Sequence, residues 1–399
     1  MAPPTPNIKV NSNGIPDFED LPLRKGDPHH SAWGLYGEHD ELGTLNRLTD
    51  DRVAAAARDE IKTGQRISLN WPLDAQSNRS FFQRARFHQD IFPKAPATVN
   101  DDVWTFNSQV STQWDGLRHF GYQKEKLFYN GVTMKQIHGF GQEEGKKSTI
   151  NGIQGKHIII TIIIIIIIIC LVRMRSMAWM FAECVFTSFE IAWAEQGIVG
   201  RGILVDYHGW RTSQPDGKAS AYDSFDSTSI SLADLKACLE AQETEVKFGD
   251  ILFIRSGFME THATKTPDEI WAHQDVMPHR FGGVEQDEAV LRWIWDNFSA
   301  VAGDQPSFEV WPTQKDWLLH EVLLGGWGCP IGELFDLEAL AKRCREEKRW
   351  SFFVCSEPCN VPGGVASPPE YTRHFLKSSR IIRLVLITPG AVLRGDQVH

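Results

Sequence analysis

Between Ile158 and Val172 the chain runs for fifteen residues containing eleven isoleucines, eight of them consecutive. No ordinary element accommodates such a run. As a helix it reaches about 22 Å, whereas crossing a membrane takes roughly 20 apolar residues. Arg173 and Arg175 follow at once. Strands usually run about 3–10 residues, and eight identical β-branched residues in a row are an aggregation hazard. The run follows neither the helical nor the strand period, so packing does not explain it.

A nucleotide repeat does explain it, because isoleucine codons are AT-rich. The segment opens with Gly155 and Lys156, encodable as a splice-donor pattern. It closes at Glu190, Ile191 and Ala192, encodable as an acceptor pattern. Removing Gly155–Ile191, 37 residues, leaves STINGIQAWAEQGIVGRGILVDY. In the joined text Ile150, Ile153 and Trp193 fall at helical spacing, Gly197 closes the helix, and a strand follows. Residues 155–191 therefore read as a translated intron or another non-native insertion. Contact with a membrane or lipid, and a genuine structural role, are the alternatives.

The remaining chain reads as a globular protein with a sizeable core. Its 41 Lys and Arg against 51 Asp and Glu leave a net charge of −10, or −11 without the insertion. That balance argues against nucleic-acid and anionic-membrane surfaces, which need clustered cations. Seven cysteines stand at 170, 184, 238, 329, 344, 355 and 359 without a C-x-x-C pair. They read as reduced thiols, and the start MAPPTPNIKVNSNGIPDF has no apolar signal region, so a cytoplasmic location is expected.

Residues 1–30, rich in Pro, Asn and Gly, suggest a loose arm, and residues 31–399 a single domain. Helices are expected at Thr49–Gly64, Ser231–Gln242, Glu285–Phe298 and after Thr266, where Pro267 and Glu269 complete a capping box. Short apolar runs alternate with them: Gln65–Leu73, GILVDY (202–207), DILFIRSG (250–257), AVAGDQ (300–305), WSFFVCS (350–356) and RIIRLVLITP (380–389). Alternating helices and β runs argue a mixed α/β fold.

The densest polar cluster is NSQVSTQWDGLRHFGY, Asn107–Tyr122. On a strand, Gln109, Gln113 and Asp115 share one face. The Asp115-Gly116 step can turn the chain and bring His119 back toward the same point. Oxygen donors with one imidazole suit a divalent cation, although a polar strand end with ordinary hydrogen bonds accounts for the same residues.

This stretch resembles the signature of the cyclase superfamily, which includes bacterial kynurenine formamidases and isatin hydrolases. Where that family reads H-x-G-T-H-x-D-x-P-x-H, QVSTQWDGLRH keeps Thr112, Asp115 and His119. HEVLLGGWGCPIGELFDLEAL resembles the family's later H-x-x-L-L…E-x-L-x-L block and supplies His320 and Glu333. WGLYGEHDELGTLNRLT (33–49), GRGILVDY (200–207), GDILFIRSGF (249–258) and NVPGGVASPPEY (360–371) follow the family order. The resemblance runs from about residue 30 to 390 and skips 155–191.

It implies a swivelling β/β/α fold with a mixed sheet and flanking helices. Asp115, His320 and Glu333 would be metal ligands and His119 the proton-transfer residue. Gln109 and Gln113 stand where the family has two histidines. A Gln carbonyl is a harder, weaker donor than imidazole, so Mn²⁺ or Mg²⁺ is favoured over Zn²⁺, in a single site. The expected activity is metal-dependent hydrolysis of an amide, lactam or lactone of a small molecule, by a homo-oligomer. The alternatives are a cyclase or lyase acting on a polyketide-like substrate, and a binding protein that has lost its metal. The loop GEHDELG (37–43) reads as a cover for a site or an interface, and Gly363, Gly364 and the SPP at 367–369 as a rigid loop.

Overall fold

The computed structural model describes residues 8–76, 78–139, 148–154, 193–215 and 222–370. The isoleucine segment and the apolar run at 380–389 lie outside the described residues. Among those described, no helix is long and apolar enough to cross a membrane.

The strands are β1 His88–Pro93, β2 Asn100–Thr105, β3 Gln113–Asp115, β4 Leu127–Phe128, β5 Val132–Thr133, β6 Ile198–Val205 and β7 Ser229–Ile230. There follow β8 Asp250–Ile254, β9 Gly283–Val284, β10 Phe298–Gly303, β11 Ile331–Glu333, β12 Ser351–Pro358, β13 Ala366–Ser367 and β14 Pro369–Glu370. Eight of them form one sheet in the order β13-β3-β11-β10-β8-β6-β12-β14. The four middle strands β11, β10, β8 and β6 are parallel, while β3 and β12 flank them antiparallel. The expected mixed α/β architecture with flanking helices is present.

Every residue of β8 and β10 is buried. Continuous apolar runs such as Ile251–Ile254 belong in strands covered on both faces, because a solvated face would force polar alternation. Helix Asp50–Glu60 packs on β6 and β12. Its cap is the Thr49 hydroxyl, which accepts from the Arg52 amide. The helix Pro267–Asp275 carries the expected Thr266–Glu269 capping box. Helix Glu288–Asn297 buries Val290, Leu291, Trp293, Ile294 and Trp295 on one side, the stripe its spacing prescribes.

Three expectations are corrected. Gln65–Leu73 alternates like a strand but forms only an isolated bridge between Asn70 and Phe335. Most of its side chains stay exposed or half-exposed, so the alternation has no partner strand to read it. The described part of the presumed loose arm, residues 8–30, is packed: Ile15, Phe18 and Leu21 are buried in the main core, and Trp295 Nε1 donates to the Pro16 carbonyl at 2.9 Å. Burial of three large apolar side chains outweighs the local Pro and Gly signal. Finally, Ile150 and Ile153 do not lie on a helix. Asn151 adopts φ +55, held there by its amide bond to Glu41 at 2.7 Å and its side-chain bond to the Tyr129 carbonyl at 2.9 Å. Helix begins only at Trp193 and ends at Gln196, before Gly197 at φ +74.

One buried ionic cluster anchors the sheet. Arg255, just past β8, is 2% exposed. It donates to Asp206 at 2.8 Å, to both oxygens of Glu338 at 2.9 and 2.6 Å, and to Glu260. Removing the guanidinium takes one of two cationic partners from buried Asp206, which keeps Arg345 at 2.6 Å, and removes the two-bond partner of Glu338. Arg255→Met is therefore expected to cost up to about 3 kcal/mol, read as a lower urea midpoint. An unchanged midpoint would contradict that assignment of the load.

Candidate metal centre

The site assembles where the two short strands β3 and β11 meet. Their antiparallel register pairs Gln113 with Glu333 and Asp115 with Ile331. Strand alternation then puts Gln113 and Asp115 on one face, as their spacing predicts. Gln113 Nε2 donates to Glu333 Oε2 at 3.0 Å. Gln109 is not on the strand; it sits in the preceding turn, closed by Val110 N to the Asn107 carbonyl at 2.9 Å. Its side chain nevertheless reaches back.

The Asp115-Gly116 step turns the chain as expected, and His119 N donates to the Gly116 carbonyl at 2.9 Å. A Cβ on residue 116 would stand 2.8 Å from the Val365 carbonyl oxygen, so the turn requires glycine. His119 Nε2 is thereby placed 3.7 Å from Asp115 Oδ2.

His320 arrives from the other side, immediately before the helical turn Glu321–Gly326. Its Nε2 lies 3.2 Å from Glu333 Oε1. Its Nδ1 lies 2.7 Å from Glu309 Oε1. Glu309 is itself fixed by the amides of Leu319 and His320, each at 2.8 Å, and by Gln286. An imidazole tied at Nδ1 to a carboxylate presents Nε2 outward as a ligand atom, the usual outer-shell arrangement of metal-binding histidines.

The ligand-type atoms of Asp115, His320 and Glu333 lie within 4.8 Å of one another, and all three residues are buried. Asp115 Oδ2 and Gln113 Oε1 are buried and accept no hydrogen bond. A buried acceptor without a partner is costly unless something cationic completes it. Asp115, Glu333 and His320 Nε2 could thus hold a divalent cation, while Gln113 turns its amide nitrogen to Glu333 and leaves Oε1 as a further buried acceptor. Gln109 reaches the cluster through its amide nitrogen, which donates to Asp115 Oδ1 at 3.0 Å and lies 2.5 Å from His119 Nδ1. An N–H offers no lone pair, so Gln109 in this arrangement orients Asp115 and His119 and is not a ligand.

The electrostatics follow from burying these groups beside one another. Burial, and then the neighbouring Glu333, push the Asp115 carboxyl well above its ordinary range. Burial pulls His119 well below the usual imidazole range, with the positive charges of His320 and Arg84 adding to it. For His320 burial works downward, but its bonds to Glu309 and Glu333 outweigh it and raise the ring to about 10.

Sequence reasoning overlooks two residues here. Glu309 stands in the run SFEVWP, where a lone acid between Phe308 and Val310 is the available signal. Arg84 donates to the Gln109 carbonyl at 2.8 Å, lies over the Phe82 ring and acts electrostatically on Asp115 and Glu333. No local pattern marks it. Thr112 is structural: its hydroxyl accepts from Trp71 N at 2.7 Å and donates to the Leu334 carbonyl at 2.6 Å. That second bond steadies Leu334 at φ +55, directly after Glu333. GEHDELG is a pin within the fold, because half-buried Asp40 accepts from Gly43 N at 2.7 Å and from the Tyr129 hydroxyl at 2.9 Å. The 360–369 loop lies at the edge of the site, with β13 paired to β3 and the Gly363 carbonyl bound by Arg118 at 3.0 Å.

A mixed α/β sheet thus carries a buried cluster of carboxylates, an imidazole and amides whose ligand-type atoms could hold a cation. The family model described as "Putative cyclase" matches residues 67–310. More than half of the chain is covered, and the protein belongs to this cyclase family. It is similar to the crystal structure of a novel cyclase, with a TM-score of 0.63 and 29% identity over 85% of this chain and 97% of that one. It is also similar to isatin hydrolase A from Ralstonia solanacearum, with a TM-score of 0.45 and 12% identity over 80% of this chain and 95% of that one. Isatin hydrolase A from Labrenzia aggregata gives 0.43 and 10%, over 76% and 90%. A comparison with curated proteins found no match.

Proposed function

We propose that the chain is a metal-dependent hydrolase that opens an amide, lactam or lactone of a small molecule. The observation that carries this reading is the buried Asp115 Oδ2, an acceptor without a partner, on a carboxylate clustered with His320 and Glu333. Three oxygen donors and one imidazole fit Mn²⁺ or Mg²⁺ better than Zn²⁺. The bound cation supplies a water of lowered pKa and polarises the substrate carbonyl.

The chain's own groups do the rest. Glu309 holds the His320 ring by its Nδ1 and fixes which nitrogen faces the centre. Half-buried His119 is held neutral by desolvation and by the charges of His320 and Arg84, and its Nε2 is the atom that exchanges a proton with water and then with the leaving nitrogen or oxygen. Gln109 decides when that is allowed. With its amide N–H toward Nδ1, the His119 proton sits on Nε2. A half-turn of the amide, which would offer Oε1 to an Nδ1 proton and free the Nε2 lone pair to accept one, also withdraws the donor from Asp115 Oδ1 and so requires that carboxylate to be protonated or neutralised by the cation. Arg84 adds fixed positive charge beside the carboxylates and suits a substrate whose carbonyl oxygen gains negative charge.

His119→Asn is expected to lower kcat by about 10²–10⁴-fold while leaving metal content unchanged. Loss of metal in that variant would place His119 among the ligands instead. The reaction class is tested with Mn²⁺-loaded protein and isatin or a simple lactone in ¹⁸O-labelled water. Hydrolysis places one label in the product acid. Turnover without label would replace hydrolysis by cyclisation or elimination.

A further inference from the structure

A second group of ligand-type side chains converges away from the centre. His29 and His30 end the irregular N-terminal segment, and Glu288 opens the helix Glu288–Asn297. Nε2 of His29 and Nε2 of His30 each stand 3.7 Å from the same atom, Glu288 Oε1. The two imidazole centroids are 3.7 Å apart. The three ligand atoms all lie within 4.8 Å of one another.

The backbone on which they sit is fixed from elsewhere. The His29 carbonyl accepts from the Tyr122 hydroxyl, and the His30 carbonyl from Trp327 Nε1, each at 2.7 Å. The His30 ring packs on Phe18 with centroids 4.3 Å apart. Its side chain is 11% exposed, and neither ring nitrogen makes a hydrogen bond.

Distance decides between an ion pair and a metal site. At 3.7 Å the carboxylate is beyond hydrogen-bond reach of either ring. Two ligands of a tetrahedral ion with bonds of about 2.1 Å stand about 3.4 Å apart. The observed separations therefore match ligands arranged around a small cation better than groups bonded to each other. Two imidazoles and one carboxylate suit zinc, copper or nickel, unlike the oxygen-rich centre.

We propose that His29, His30 and Glu288 form a surface site for a transition-metal cation of the zinc type, with one position open to water. The ion would clip the N-terminal segment to the helix. The Arg292–Glu19 ion pair and the Trp295–Pro16 bond already join these two parts. A ligand bound only by the folded state raises its stability. The site stands apart from Asp115, Glu333 and His320, and the proposal is independent of the hydrolase reading.

The test titrates the full chain with Zn²⁺, following the melting temperature and competition with a chromogenic chelator. The variants are His29→Ala, Glu288→Gln and, for the centre, Asp115→Asn. His29 and Glu288 are more than half exposed, at 54% and 62%, so neither substitution should change melting of the metal-free protein. The expected result is a Zn²⁺-dependent rise in melting temperature. His29→Ala and Glu288→Gln should each weaken the responsible site at least about tenfold and abolish the rise, while Asp115→Asn should keep it. A rise that survives in His29→Ala and Glu288→Gln, or a chain without Zn²⁺ affinity in the Asp115→Asn background, would overturn the proposal.

Discussion

A chain lacking Gly155–Ile191 is expected to fold, to stay soluble at higher yield than the full chain, and to bind Mn²⁺ as tightly. The reason lies in the residues that flank the segment. Ala194 N donates to the Ile153 carbonyl at 3.0 Å, directly across it. With 155–191 removed, Ala194 becomes the fourth residue after Ile153, which is the spacing of an α-helical hydrogen bond. Gln154 and Ala192 would form the turn between them. The bond already present is the bond the shortened chain needs.

Both flanks are also anchored in the core, with Ile153 and Trp193 buried. Shortening a closed loop of this length recovers about 2 kcal/mol of closure entropy. It also removes twelve isoleucines, eleven of them in an apolar stretch that promotes association wherever it is exposed. Circular dichroism melts and gel filtration of the two chains check this. A shortened chain that is insoluble or melts without cooperativity would show that the segment is needed. The mature messenger RNA is the second check, since uniform retention of the corresponding nucleotides would contradict an intron origin.

Asp115→Asn and Glu333→Gln are expected to split stability from function. Each removes one negative charge from the cradle. Mn²⁺ affinity should fall by more than the roughly 10–100-fold typical of outer-shell partners, and activity should fall with it. Glu309→Gln, one step removed, should lie within that range. The metal-free protein should respond in the opposite direction. Burial and Glu333 hold the Asp115 carboxyl high, so its ionised form is unfavourable in the fold. Removing the charge should raise the melting temperature of the metal-free protein, by about 2–4 °C per kcal/mol relieved for a domain of moderate size. Elemental analysis and calorimetry on the same preparations check both halves. Wild-type Mn²⁺ content in Asp115→Asn would remove the cradle from the functional account.

Several parts of this protein are written locally. Thr49, Ser231 and Thr266 cap their helices through their own hydroxyls, bonds that span a few residues and need no tertiary partner. The apolar runs at β8 and β10 are legible because full burial leaves no alternation to interpret. The Asp115-Gly116 turn and the shared face of Gln113 and Asp115 follow from strand geometry and from glycine. The family resemblance joins Asp115 and Glu333, more than 200 positions apart, into one candidate site.

Tertiary structure decided what depends on partners distant in the chain. Gln65–Leu73 carries a strand's alternation, yet the sheet offers it no edge. Asn151 is held left-handed by Glu41 and Tyr129, which overrides the helical spacing of Ile150 and Ile153. Gln109 turned its amide nitrogen to Asp115 because that carboxylate, once buried, needs a donor. Glu309 and Arg84 entered the site because the fold brought a buried acid behind His320 and a cation beside β3. In each case the local preference is worth on the order of 1 kcal/mol or less. Burying a charge or a polar group without its partner costs several times that, so satisfying the buried groups wins.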